Sequence, residues 1–294
     1  MKKLLIMIMF ITVFIVGMAR SKAPKDYSIY ATNTLISPET ANKMIESETD
    51  LVILDVRKKE NFEKEHVRES FQIWKTDFSA DKGEYKYDDM RATPSKIARI
   101  LGSYGITPKT HILLLGEGGD YEVARLWWIL DMYGHENISI IDGGIVGWKL
   151  AKLKVVGGAI AKPKIPAIYK FRSSVDLSRS ANLEDVKVAM SNDTVILDTR
   201  SFFESDGLIS GEKTFIKGRI SGSDNIPWDI VVEEDKTFSS SKEIKEVLNK
   251  HGITKDMSVI LYSESGMQSA HMTFVLRELL GYKDVKNYDG SWIQ

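Results

Sequence analysis

The sequence predicts an α/β fold: two tandem copies of one unit, each an open, mostly parallel sheet with helices on both faces. Three observations predict it. The chain repeats itself. Gly105-Ile106-Thr107 returns as Gly252-Ile253-Thr254, 147 positions on, and Gly134 and Asp142-Gly143 return at the same offset as Gly281 and Asp289-Gly290. Upstream, Val52-Ile53-Leu54-Asp55-Val56-Arg57 returns as Val195-Ile196-Leu197-Asp198-Thr199-Arg200, 143 on. A duplicated period of this kind means two fused units. Short continuous apolar runs then alternate with helical patterns, as parallel strands buried on both faces require. Finally, the helices carry readable starts and stops.

The elements follow in chain order. Lys2-Lys3 precedes an apolar stretch, Leu4 to Ala19, broken only by Thr12, with Gly17 and Ala19 placed for cleavage. Residues 1–23 therefore read as a cleaved export signal, because the stretch falls short of the roughly 20 apolar residues that span a bilayer. An uncleaved anchor is the competing reading. The expected location is periplasmic or extracellular, with no membrane attachment after cleavage.

The first domain is expected over 35–153, with strands at Leu51–Leu54, Ile112–Leu115 and Ile138–Ile141. Its helices begin at Ser37-Pro38-Glu39 and Thr93-Pro94-Ser95, where a hydroxyl can cap and proline suits the first helical position. A third, Val123–Met132, ends just before Gly134, as helix C-termini often do. Lys162-Pro163-Lys164-Ile165-Pro166 breaks regular structure, so 154–170 reads as a semi-extended linker. The second domain, 171–294, has matching strands at Val195–Leu197, Val259–Tyr262 and Val285–Tyr288, and a helix over Ala270–Leu280 that ends before Gly281.

Composition narrows the function. The chain has 294 residues, 43% hydrophobic and 28% charged, so two domains can each bury a core. A net charge of −1 gives no case for a nucleic-acid partner. Charge runs such as Lys58-Lys59-Glu60 and Glu233-Glu234-Asp235-Lys236 read as solvated faces. There is no cysteine, which excludes disulfides, thiolate metal sites and thiol catalysis. Histidines at 66, 111, 135, 251 and 271 show no metal-ligand spacing and read as surface or satisfied interior residues, so no metal and no cofactor is expected. Trp127-Trp128 read as core and domain-interface packing. Asp55/Arg57 and Asp198/Arg200 read as ion pairs at strand ends, structural first.

Ligands of such sheets bind beyond the carboxyl ends of the strands. That singles out Ser263-Glu264-Ser265-Gly266-Met267-Gln268, between a buried strand and a helix, where backbone amides and the helix dipole can form an anion cradle. The matching first-copy loop is Gly116-Glu117-Gly118-Gly119. Together with Asp198-Thr199-Arg200, Gly218-Arg219-Ile220-Ser221-Gly222-Ser223, Leu276-Arg277-Glu278-Leu279-Leu280-Gly281 and Tyr288-Asp289-Gly290-Ser291-Trp292, this loop resembles the tandem-domain rhodaneses, the thiosulfate and mercaptopyruvate sulfurtransferases. The resemblance runs from about Leu35 to the C-terminus. It implies a catalytic second domain in which a cysteine opens a six-residue loop and carries sulfane sulfur as a persulfide. That cysteine falls on Ser263. Glu264, Ser265, Gly266, Met267 and Gln268 complete the substrate-binding loop, and Arg200 matches an arginine near the pocket. Asp55, Arg57 and Asp198 are structural. The first-domain loop is catalytically silent in the family, and Gly116 fits that.

A hydroxyl has no ionised population comparable to a thiolate and forms no persulfide. The leading expectation is an exported rhodanese-family protein, degenerate for sulfur transfer, that binds or scaffolds; its partner is a small sulfur-containing anion such as thiosulfate, and the sequence names no protein partner. The alternative is an active thiosulfate or mercaptopyruvate sulfurtransferase whose cysteine was exchanged artificially for serine. A simple binding module for thiosulfate or phosphate is a third reading. A serine hydrolase, with His271 as the nearby base, is disfavoured because no G-x-S-x-G elbow surrounds Ser263.

Overall fold

The computed structural model describes residues 25–158, 165–171 and 174–294. The expected export segment and the proline-rich middle of the expected linker lie largely outside these residues. In the first domain β1 (Leu35–Ile36), β2 (Leu51–Asp55), β3 (Phe71–Gln72), β4 (His111–Leu115) and β5 (Ile138–Ile141) form one sheet in the order β1-β5-β4-β2-β3. In the second, β6 (Ser180–Ala181), β7 (Val195–Asp198), β8 (Asp224–Asn225), β9 (Val259–Tyr262) and β10 (Val285–Tyr288) repeat that order as β6-β10-β9-β7-β8. Every pairing is parallel, with Leu54 opposite Leu114 and Leu197 opposite Leu261 in the centres. Those four leucines are fully buried, which is why the strands read as continuous apolar runs.

The helix starts follow the sequence. Ser37 and Thr93 accept the N–H three residues on and each is followed by proline. The two long loop helices are Tyr121–Met132 and Met267–Phe274. The second runs on as a π-helical turn, Val275–Leu279, before Gly281 at φ +74°. Carbonyls at its end are satisfied by the segment before β1: Ala31 N–H bonds Leu279 O at 3.0 Å and Thr32 N–H bonds Glu278 O at 3.1 Å. No helix among the described residues is long and apolar enough to cross a membrane.

The two loop helices pack on each other and join the domains. Trp127 meets Phe274 edge-on at 4.9 Å, a pair contributing about 0.5–1.5 kcal/mol beyond its area burial. Trp128 is buried and donates to Arg179 O at 2.9 Å. The main apolar cluster therefore runs through both domains, from Leu54 and Leu114 to Leu261 and Val285. Because each loop precedes one of these helices, both loops lie at the domain interface.

One expectation changes here. Glu233-Glu234-Asp235-Lys236 is not simply a solvated face. Val232 and Phe238 pair antiparallel, and this hairpin rests on the first-domain loop: a Cβ added at Gly118 would come within 2.9 Å of Lys236 Cβ. Residues that read as a polar surface in sequence are the second domain's reach across the interface.

Candidate functional site

The site is built from the ends of β7 and β9. Thr199 donates from both its N–H and its hydroxyl to Tyr262 O, each at 2.9 Å, tying the two strands where they end. Tyr262 then donates its hydroxyl to Asp198 Oδ2 at 2.8 Å. Arg200 folds back on the same carboxylate, Nε to Oδ1 at 3.0 Å and Nη2 to Oδ2 at 2.6 Å, and also donates to Gly218 O at 2.8 Å. Its guanidinium carbon lies 4.6 Å from the Trp292 ring centre. The first domain repeats the device with Arg57 on Asp55. Both arginines are buried and bidentate on a strand-end carboxylate, and each also donates to a loop carbonyl, Gly218 O and Glu65 O. Arg200 thus lies beside the site, under Trp292, with its guanidinium committed to Asp198.

Beyond Tyr262 the chain turns through Ser263–Gly266 into the second loop helix. Ser263 is only 1% exposed. Its N–H bonds Ser291 Oγ at 3.1 Å, and its carbonyl accepts the Trp292 N–H at 3.1 Å. Ser269, six residues on in the first turn of that helix, lies 3.4 Å from Ser263 Oγ and gives its stronger bond, 2.6 Å, to Asn287 Oδ1. Glu264 accepts the Ile293 N–H on its carbonyl at 3.1 Å and the Lys213 N–H on its carboxylate at 2.6 Å. Ser265 Oγ reaches Asp89 of the first domain at 3.3 Å. Gly266 turns at φ +74°, a left-handed conformation that favours glycine, and a Cβ there would come within 2.7 Å of Asp289 O. Met267 is buried and Gln268 half-buried at the start of the helix.

The chain's closing segment therefore clamps the loop through Ser291, Trp292 and Ile293. The first domain adds a second clamp. Arg125 projects from the middle of the apolar helix Tyr121–Met132, donates to Gly266 O at 3.1 Å, and pairs with Asp289 at 2.5 Å. Arg91 pairs with the same carboxylate at 2.7 Å. Burial opposes ionisation of Asp289, but the charges of Arg125 and Arg91 outweigh it and hold the carboxyl below its ordinary range. Lys213 pairs with Asp89 at the loop mouth, and burial lowers its pKa. Beside it opens a hollow of about 360 Å³ lined by Lys86, Tyr87, Asp88, Lys213 and Ile293. A larger cleft, about 630 Å³, lies elsewhere, around Asp142, Lys25 and Phe238. Size alone would misdirect attention from the loop.

His271 departs from the expectation of a satisfied histidine. It is fully buried, stacked on Phe238 at 4.9 Å and edge-on to Trp228 at 5.2 Å. Neither ring nitrogen has a hydrogen-bond partner among the described residues, and burial lowers its pKa to about 3. It is neutral at physiological pH, and its ring packs on aromatics without a bond to Ser263. No base activates the serine in this geometry.

Sequence reasoning brought together Ser263 to Gln268 but assigned no role to Asp89, Arg91, Arg125, Lys213 or Ser269. Arg125 carried a signal. A lone cation inside Val123-Ala124-Arg125-Leu126-Trp127-Trp128 must be buried, and a buried cation needs a carboxylate.

The sequence profile of the rhodanese-like domain matches residues 37–151 and again 182–294. The chain belongs to the rhodanese family. It is 30% identical over 236 residues to "Putative thiosulfate sulfurtransferase" of Mycolicibacterium smegmatis, covering 78% of this chain and 82% of that one. It is also 30% identical over 212 residues to the sulfur carrier protein TtuD of Thermus thermophilus, 68% of this chain and 72% of TtuD. Among solved structures, Tum1 of Saccharomyces cerevisiae superposes with a TM-score of 0.77 at 18% identity, over 88% of this chain and 93% of Tum1. Wild-type EanB gives 0.77 at 21% identity, over 89% of this chain and 66% of EanB. These two likenesses speak to the fold. Two parallel five-stranded sheets in one order are the tandem rhodanese architecture, and this family member has no cysteine.

Proposed function

We propose that this chain is an exported rhodanese-family protein that has lost sulfane-sulfur transfer and keeps the second-domain loop as a binding element for a small sulfur-containing anion such as thiosulfate. The observation that carries the reading is Ser263. It stands at the carboxyl end of β9, where the family resemblance puts the cysteine, in a loop clamped from both domains.

The chemistry follows from the atoms. In persulfide formation a thiolate attacks the sulfane sulfur of thiosulfate, its S–S bond breaks, and sulfite leaves with the electron pair. Cysteine supports this because its pKa near 8.5 is lowered at a helix N-terminus. The Ser263 hydroxyl stays protonated, and His271 offers it no base. The backbone that would receive an anion is unaffected by exchanging sulfur for oxygen. The names of the relatives support a thiosulfate-type ligand, and the name of TtuD supports a protein partner.

Wild-type protein should give no thiocyanate from thiosulfate and cyanide above a no-enzyme control; production that Ser263→Ala removes would sink the proposal. Ser263→Cys should fold and gain a +32 Da persulfide adduct after thiosulfate treatment. Ser263→Cys with Gln268→Arg should gain more, because charge-assisted bonds to an anion are about twice as strong as neutral ones. A folded double variant without the adduct would show that the loop does not receive thiosulfate. Export is tested separately: intact mass of protein from its native host should place the first residue at or near Arg20, whereas Met1 on a membrane-bound species would favour an anchor. The codon at position 263 in the native gene decides between a natural serine and an artificial exchange.

A further inference from the structure

The first-domain loop invites a question that the missing nucleophile alone does not answer: why position 116 carries no side chain at all. Gly116 is not among the glycines with positive φ, so its backbone would accept any residue. The obstacle is what faces it. A Cβ at 116 would come within 2.5 Å of Asp120 Oδ1 and Val123 Cγ2, and closer still to Asp120 Oδ2. Asp120 turns its carboxylate back into the loop that precedes it and accepts the Gly118 N–H at 2.9 Å.

From this we infer that Asp120 is an internal plug: its carboxylate occupies the place from which a side chain at 116 would project, and it holds the first-domain loop shut. The loop is closed by occupancy as well as by the lack of a reactive group. The space left inside it is about 10 Å³, no more than one water position. The second domain seals it from outside. A Cβ at Gly119 would run into Val232, and one at Gly118 would meet Lys236.

The second copy shows the open alternative. The residue 147 positions after Asp120 is Met267, which has no carboxylate to turn inward. The residue 147 after Gly116 is Ser263, which carries a side chain there. One exchange at each of two positions distinguishes a loop filled by its own chain from one that presents a side chain at the strand end. The inference does not depend on whether the second loop binds sulfur anions.

Full-length Gly116→Ala, Asp120→Ala and the double variant form a cycle that tests it. Gly116→Ala alone should lower the Tm by about 4–8 °C. The same change in the Asp120→Ala background should cost less than half as much. Gly116→Ala with Val123→Ala is the control, since the valine methyl also faces position 116. Equal losses in both backgrounds, relief by Val123→Ala only, or a Gly116→Ala chain that fails to fold in either background would each overturn the plug. A second measurement uses a thiol that would be unique in the chain. Gly116→Cys combined with Asp120→Ala should react with iodoacetamide at least about tenfold faster than Gly116→Cys alone; equal rates would overturn the proposal.

Discussion

The turns Asp142-Gly143 and Asp289-Gly290 hold the two halves together by one backbone device and different sets of cations. Asp142 accepts the Phe238 N–H at 2.9 Å; Asp289 accepts the Arg91 N–H at 3.2 Å. Positions 91 and 238 are again 147 apart, so each domain's carboxylate grips the equivalent position of the other, a residue in an isolated antiparallel bridge. The counter-charges diverge. Asp142 takes Lys25, at 2.6 Å, and the Tyr27 hydroxyl. Asp289 takes Arg91 and Arg125, and Arg125 goes on to hold Gly266 O. The carboxyls respond in opposite directions. Burial raises the pKa of Asp142 in spite of Lys25, whereas two arginines overcome burial at Asp289. The duplication kept the latch, and only the second copy wired it to its loop.

The largest test removes one latch at a time. Asp289→Ala leaves the fully buried Arg125 and the partly exposed Arg91 without their carboxylate and should cost about 3–5 kcal/mol in urea unfolding, most of it from Arg125. Asp142→Ala strands one cation, Lys25, which is 22% exposed and can turn to water, together with the Phe238 N–H and the Tyr27 hydroxyl, so about 1–3 kcal/mol is expected. Equal losses would mean that the different cations make no energetic difference.

Acid sharpens the contrast between the two loops. His271 stays neutral in the folded state down to about pH 3 but charges below about 6.5 when unfolded. Its contribution is therefore present above pH 6.5 and is lost at about 1.4 kcal/mol per pH unit as pH falls toward 3. The first-domain loop works the other way. Burial raises Asp120 to about 6 and Glu122 to about 7, so the folded state takes up their protons first and gains stability as pH falls through those values. With two carboxyls gaining and one histidine losing, urea midpoints of wild-type protein should rise between pH 6.5 and 4.5. His271→Phe should become relatively more stable on acidification, and Asp120→Asn relatively less. Profiles parallel to wild type would refute the assignment.

Smaller effects follow at the loop itself. Gly266→Ala should cost about 1–2 kcal/mol from its left-handed backbone alone, with more from the overlap at Asp289 O. A thermal shift within error of wild type would show that the turn is not fixed. Lys213→Met breaks a pair with Asp89 in which the lysine is 34% exposed, so the loss should stay under about 1 kcal/mol. A larger loss would make the loop mouth part of the domain clamp.

Much of this was legible in the sequence, for a physical reason. Strands buried on both faces must be apolar throughout, so Val52–Leu54 and Val259–Tyr262 announced the sheets. Hydroxyl–proline pairs announced the helix starts at Ser37 and Thr93. The repeat at 147 announced two domains, and the absence of cysteine announced a chain without a thiol. The Asp55/Arg57 and Asp198/Arg200 pairs lie two residues apart, close enough for sequence to join them. The tertiary structure alone decided what meets across the interface. It set Arg125 against Gly266 and Asp289, laid the 232–238 hairpin on the first loop, shut His271 between Phe238 and Trp228, and turned Asp120 inward toward Gly116. Periodicity reports which face of an element is buried, but not what it is buried against. A partner 141 or 164 residues away leaves no trace in local pattern, and the energetic consequence of a charged or polar group depends on that partner.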